Sequence, residues 1–101
     1  VSQDHQIVVS HEPYFTSELS LDSRKQKIAN EDQLTHNLYQ KNYREIKQYD
    51  VGSLSHPLFE EQTNLPSYKP LLDEVFETFK SHELLEGQAL CLFNIEIKFH
   101  P

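Results

Sequence analysis

The sequence predicts an α+β domain, a small three-stranded sheet covered on one face by two amphipathic helices. The sheet would combine two N-terminal strands with one long C-terminal strand. Three observations predict it: residues 89–99 with every odd position apolar and even positions passing from apolar (Leu90, Leu92) to polar (Asn94, Glu96, Lys98), a helical stripe of apolar residues after Ser67, and a capping pattern at Asn30. At 101 residues the chain reads as one domain, spanning 1–101, with a modest core.

The first expected strand covers residues 5–10, a short β-branched run containing Ile7, Val8 and Val9. Glu12-Pro13 ends it, because proline carries no N–H for a ladder. A second strand is expected over residues 14–21, with Phe15, Leu19 and Leu21 on one side and Tyr14, Thr16, Glu18 and Ser20 on the other.

The first helix is expected over residues 31–48, and Ile28 and Ala29 would allow a start as early as Ser23. Asn30 would cap it and Gln33 complete a capping box, while Glu31 and Asp32 suit the positive end of the dipole. Its stripe is Leu34, Leu38, Tyr39, Tyr43, Ile46 and Tyr49, with Lys41, Arg44 and Lys47 gathered late.

Residues 50–53 stop the helix, and residues 53–66 form a long irregular stretch. It contains Leu54, Leu58, Phe59 and Leu65, so it is expected to pack on the body and to offer a binding surface. Ser67 would cap the second helix, with Pro70 tolerated in its first turn. Tyr68, Leu72, Val75, Phe76 and Phe79 share one face, and Asp73, Glu77 and Lys80 face out. Residues 86–88 would turn the chain into the final strand. There Ala89, Cys91, Phe93, Ile95, Ile97 and Phe99 are expected on the core, and Asn94, Glu96 and Lys98 on the other side. That strand outruns its predicted partners, so its edge invites pairing with a second copy or another protein.

Composition bounds the function. The net charge of −7 disfavours general nucleic-acid binding, which is dominated by phosphate neutralisation. Six bases against three acids over residues 24–48 read as a solvated helix face. No apolar run approaches the ~18 residues of a membrane span, and no signal peptide is visible. A chain that starts at Val1 without a methionine is expected to have lost an initiator or a longer leader. One cysteine allows no internal disulfide and no thiolate zinc cluster, which favours a reduced, cytoplasmic setting. Cys91 itself reads as a buried structural thiol, because it lies between Ala89 and Phe93 on the apolar face.

Two glycines, Gly52 and Gly87, are too few for a P-loop, a dinucleotide fingerprint or a nucleophile elbow. The six histidines (5, 11, 36, 56, 82 and 100) show no metal-ligand spacing and read as surface groups, so no metal or cofactor is expected. Two function classes remain. The favoured one is a non-catalytic protein–protein interaction protein, a homodimer or small subunit of a larger complex. It would bind through Leu54, Leu58 and Phe59 in the loop, Tyr39, Tyr43 and Arg44 on the first helix, and Glu96 and Lys98 on the terminal strand. The alternative is a small enzyme or ligand-binding protein with a histidine/carboxylate pocket, using His56 and His82 with Glu60 or Glu83.

Overall fold

The structure is a computed structural model, and it describes residues 1–86 and 93–98. Their order is a 3₁₀ helix at Asn30–Thr35, a single α-helical turn α1 at Tyr43–Ile46, and a longer helix α2 at Leu72–Glu86. The predicted three-stranded sheet does not form: among the described residues, strand pairing is confined to isolated antiparallel bridges.

The residues flanking each bridge explain why no ladder grows. Val8 pairs with Leu71, framed by Val9 N–H to the Pro70 carbonyl at 2.8 Å and Leu72 N–H to the Ile7 carbonyl at 2.9 Å. Pro70 has no N–H to offer and Leu72 begins α2, so the pairing ends on both sides. The expected second strand is broken in the middle. Tyr14 pairs with Asn37 and Leu21 with both Lys27 and Asp50, but Ser20 N–H turns back to the Thr16 carbonyl between them. After Leu21 the chain reverses through an Asx turn, with the Asp22 carboxylate accepting the N–H groups of Arg24 and Gln26 and Lys25 at φ 64°. The third predicted strand lies in part outside the described residues, Cys91 included. Its described portion, 93–98, forms no strand and enters no bridge among the described residues, and Phe93, Ile95 and Ile97 are exposed rather than on a core.

The predicted 31–48 helix is likewise replaced by two short pieces. Asn37 is buried, and its amide donates to the Leu34 carbonyl and to Gln40 Oε1 while its oxygen accepts Gln40 N–H. A short polar side chain that bonds its own backbone competes with the helical ladder, and here it turns the chain. The capping box fails for a related reason. Asn30 lies inside the 3₁₀ helix, and Gln33 Oε1 accepts the N–H of Ser17, while Ser17 Oγ donates to Asn30 Oδ1. The first N–H of α1 is accepted instead by Asp4, far away in sequence, at 3.0 Å.

α2 forms later than expected, at Leu72–Glu86: Ser67 does not cap it but donates its hydroxyl to the Leu65 carbonyl, and Tyr68 and Pro70 lie before the helix rather than in its first turn. Glu74 works as its cap from within, accepting Leu71 N–H together with the hydroxyls of Tyr43 and Tyr68. The Tyr43 hydroxyl also donates to the Lys69 carbonyl, and burial with the nearby Glu74 carboxylate pushes its pKa up to about 12. Phe93 makes T-shaped contacts with Phe76 and Phe79 at centroid distances of 4.9 and 5.4 Å.

The core is Phe15, Ile28, Leu38, Ile46 and Tyr49, with Val8, Tyr43 and Val51 against it. Phe15 stacks on Tyr49 with centroids 3.9 Å apart, and the Tyr49 hydroxyl bonds His36 Nδ1 at 2.6 Å. Gly52 passes so close to the Leu65 carbonyl and Ser67 side chain that any Cβ there would collide with backbone. The expectation that loop 53–66 packs on the body is overturned. Leu54 is half-buried, but Leu58 is 80% exposed, and Phe59 and Leu65 are exposed with it.

Candidate functional site

A cavity of about 680 Å³ opens between the 7–13 segment, α2 and the segment 93–98. Ile7, Val9, Leu72, Val75, Ile95 and Ile97 supply apolar walls. Among the polar side chains in its lining are His11 and Glu12 on one side and Glu96 and Lys98 on the other. Each pair is internally bonded. His11 Nδ1 and Glu12 Oε1 are 2.6 Å apart, and Lys98 Nζ donates to Glu96 Oε1 at 2.8 Å.

The two pairs also feel each other. The hydrogen bond and charge of Lys98 hold the Glu96 carboxyl below the usual carboxylate range, and His11 adds in the same direction. An imidazole, two carboxylates and an ammonium group thus line one opening. Among the described residues, no three His, Cys, Asp or Glu side chains converge as a metal cluster.

Behind the His11 segment lies Lys69, half-buried, whose Nζ donates to Ser10 Oγ at 2.6 Å and sits 5.4 Å from the Phe15 ring centroid. Ser10 Oγ in turn donates to the Glu12 carbonyl at 2.6 Å. Burial pushes the Lys69 ammonium below its ordinary value, while the charge of Glu12 works the other way.

The residues singled out from sequence are scattered differently. Glu96 and Lys98 reach the cavity as a pair, and Tyr39 lines it. Tyr43 is turned inward to Glu74, and Arg44 is exposed on α1. Leu54, Leu58 and Phe59 belong to the exposed loop. His56 stays in that loop, its Nδ1 accepting Leu58 N–H and its ring 4.8 Å from Phe59. His82 lies on an exposed part of α2 and Glu60 in the exposed loop, so neither joins the cavity lining; the side chain of Glu83 lies outside the described set. Sequence reasoning missed His11 and Glu12. The signal was present: a histidine and carboxylate side by side where a β-branched run stops, the same neighbour pattern that drew notice at His82-Glu83.

No family model and no curated protein sequence matches the chain. Among solved structures, the chain is similar to a crystal structure from Silicibacter pomeroyi DSS-3 titled "Putative glycerophosphoryl diester phosphodiesterase". The TM-score is 0.68 at 19% identity, covering 81% of this chain. At that identity the likeness is one of fold. The chain matches 29% of the length of that neighbour. Among the described residues, no helix is long and apolar enough to cross a membrane.

Proposed function

We propose that this chain contributes an acid–base and anion-holding set to a site that hydrolyses phosphodiesters. The observation that carries the reading is the convergence of His11, Glu12, Glu96 and Lys98 on one cavity. The fold likeness to a protein titled as a glycerophosphoryl diester phosphodiesterase supplies the substrate class. In this reading Lys98 faces the non-bridging phosphate oxygens, where a point charge offsets the substrate's negative charge. His11, oriented by Glu12, passes a proton to the departing alkoxide as its P–O bond breaks, while water forms the new P–O bond and its released proton returns to the imidazole. The products are a phosphomonoester and an alcohol, so atoms and charge balance. The lone Cys91 supports a reducing, cytoplasmic compartment for this activity.

The test is hydrolysis of a glycerophosphoryl diester and of bis(p-nitrophenyl) phosphate by the full-length protein. Replacing His11 with Ala should lower kcat by about 10²–10⁴-fold, the usual span for removing an acid–base group. A wild-type protein that hydrolyses neither diester overturns the reading.

A second reading, protein binding through loop 53–66, is favoured by the exposure of Leu58, Phe59 and Leu65 on one loop at 80%, 61% and 63%. The double replacement Leu58→Ser with Phe59→Ser should abolish capture of a partner while leaving the melting curve unchanged. Unchanged capture removes the loop from the interface.

A further inference from the structure

His11 is a poor candidate for an ordered acid–base group if its own surroundings are considered alone. Its side chain is 85% exposed, and its bonded neighbour Glu12 is 36% exposed. An imidazole so open to water keeps one direction only if the backbone beneath it is held. The backbone of residues 10–12 is held from behind by a continuous relay. The Lys69 ammonium donates to the Ser10 hydroxyl at 2.6 Å, and that hydroxyl donates onward to the Glu12 carbonyl at 2.6 Å.

The relay is costly, which is why it calls for a role beyond packing. Lys69 is half-buried and its charge is disfavoured there, with the face of Phe15 and the Ser10 oxygen as its compensation. A methionine of similar length would fill the same space without that cost. The ammonium also sits close enough to Glu12 for the two charges to interact.

We propose that Lys69, acting through Ser10, is a positioning residue that fixes the turn carrying His11 and Glu12 at the mouth of the cavity. This deepens the phosphodiesterase reading and rests on it for its catalytic consequence, but the ordering of the turn stands independently.

The experiment is backbone ¹⁵N relaxation on the full-length protein and on Lys69→Met, Ser10→Ala and the double variant. The order parameters of His11 and Glu12 should fall from about 0.85, a rigid backbone, to below about 0.6 in both single variants. The double variant should lose no more than either single one, because the relay acts as one unit. With a diester substrate, kcat should fall about 10–100-fold at unchanged KM, the size expected when a supporting hydrogen bond is removed. Order parameters that stay high in Lys69→Met and Ser10→Ala overturn the proposal, as does a fully additive double variant. If the order falls as expected but the wild type hydrolyses no diester, the positioning role survives and the phosphodiesterase reading fails.

Discussion

Replacing Phe15 with Ala is expected to destabilise the protein by about 3–5 kcal/mol, the usual cost of emptying an aromatic site in a core. Phe15 is fully buried in a core of five side chains among the described residues, so few neighbours can collapse into the space. Its ring stacks on Tyr49 at 3.9 Å with planes 13° apart, and the Lys69 ammonium lies 5.4 Å from its centroid. The loss therefore combines cavity formation with the stacking of an aromatic pair, worth about 0.5–1.5 kcal/mol by itself. It also leaves a half-buried cation without the ring that compensates it. Small domains have about 5–15 kcal/mol in total, so the variant should be partly or wholly unfolded at physiological temperature. Phe15→Leu refills most of the volume and keeps the apolar surface, so it should lose much less, chiefly the stacking contribution. Thermal melts followed in the near-ultraviolet, where Tyr49 reports, separate the two. A Phe15→Ala protein that melts within 2–3 °C of the wild type removes the five-residue cluster as the centre of stability.

Which residues form that core was more legible in the sequence than how the backbone reaches them. Leu38, Ile46 and Tyr49 belong to the helical stripe expected over residues 31–48, and all three are buried. The helix that would have carried them is broken because Asn37 spends its amide on Leu34, Gln40 and the intervening turn. A periodicity count sees only that Asn37 is polar; its burial depends on tertiary neighbours. Leu34, from the same stripe, is 65% exposed for the same reason. The helix at Leu72–Glu86 was legible in its body because Leu72, Val75, Phe76 and Phe79 keep helical spacing, but its start was placed too early, at Ser67, with Pro70 inside the first turn. The sheet was misread because β-branched runs report extended backbone, not ladder length. Val8 is extended and paired, but proline on one side and a helix start on the other leave room for one bridge. In the site, Glu96 and Lys98 were visible as a pair on one strand face. Their neighbours across the cavity were not, since nothing local places residues 11 and 96 together.

Asp50 is where three distant segments meet, and its removal is the second large effect we expect. The residue is 6% exposed and ends the stretch that carries Ile46 and Tyr49. Its backbone exchanges both hydrogen bonds with Leu21, at 2.8 and 3.1 Å. Its carboxylate accepts the N–H groups of Gly52, Ser53 and Ser67 and the hydroxyl of Ser53. Burial raises the pKa of such a carboxyl, but here the Ser53 hydroxyl and the three N–H groups outweigh it and hold the value down at about 2. Asp50→Ala strands those donors in a poorly solvated place, at a cost of about 2–4 kcal/mol. Asp50→Asn keeps one acceptor oxygen without the charge and should cost less. The pH dependence follows from the direction of the shift. A carboxyl with a folded value of about 2 against an ordinary 3.8 stabilises the fold fully above the ordinary value. That contribution is lost as pH falls from about 4 through 2, where the folded state takes up its proton. Urea unfolding at pH 7 should therefore separate wild type from Asp50→Asn clearly, and the gap should close progressively below pH 4. A gap that stays constant down to pH 2 would mean the charge on Asp50 contributes nothing, and that the neutral hydrogen bonds alone join residues 21, 52–53 and 67.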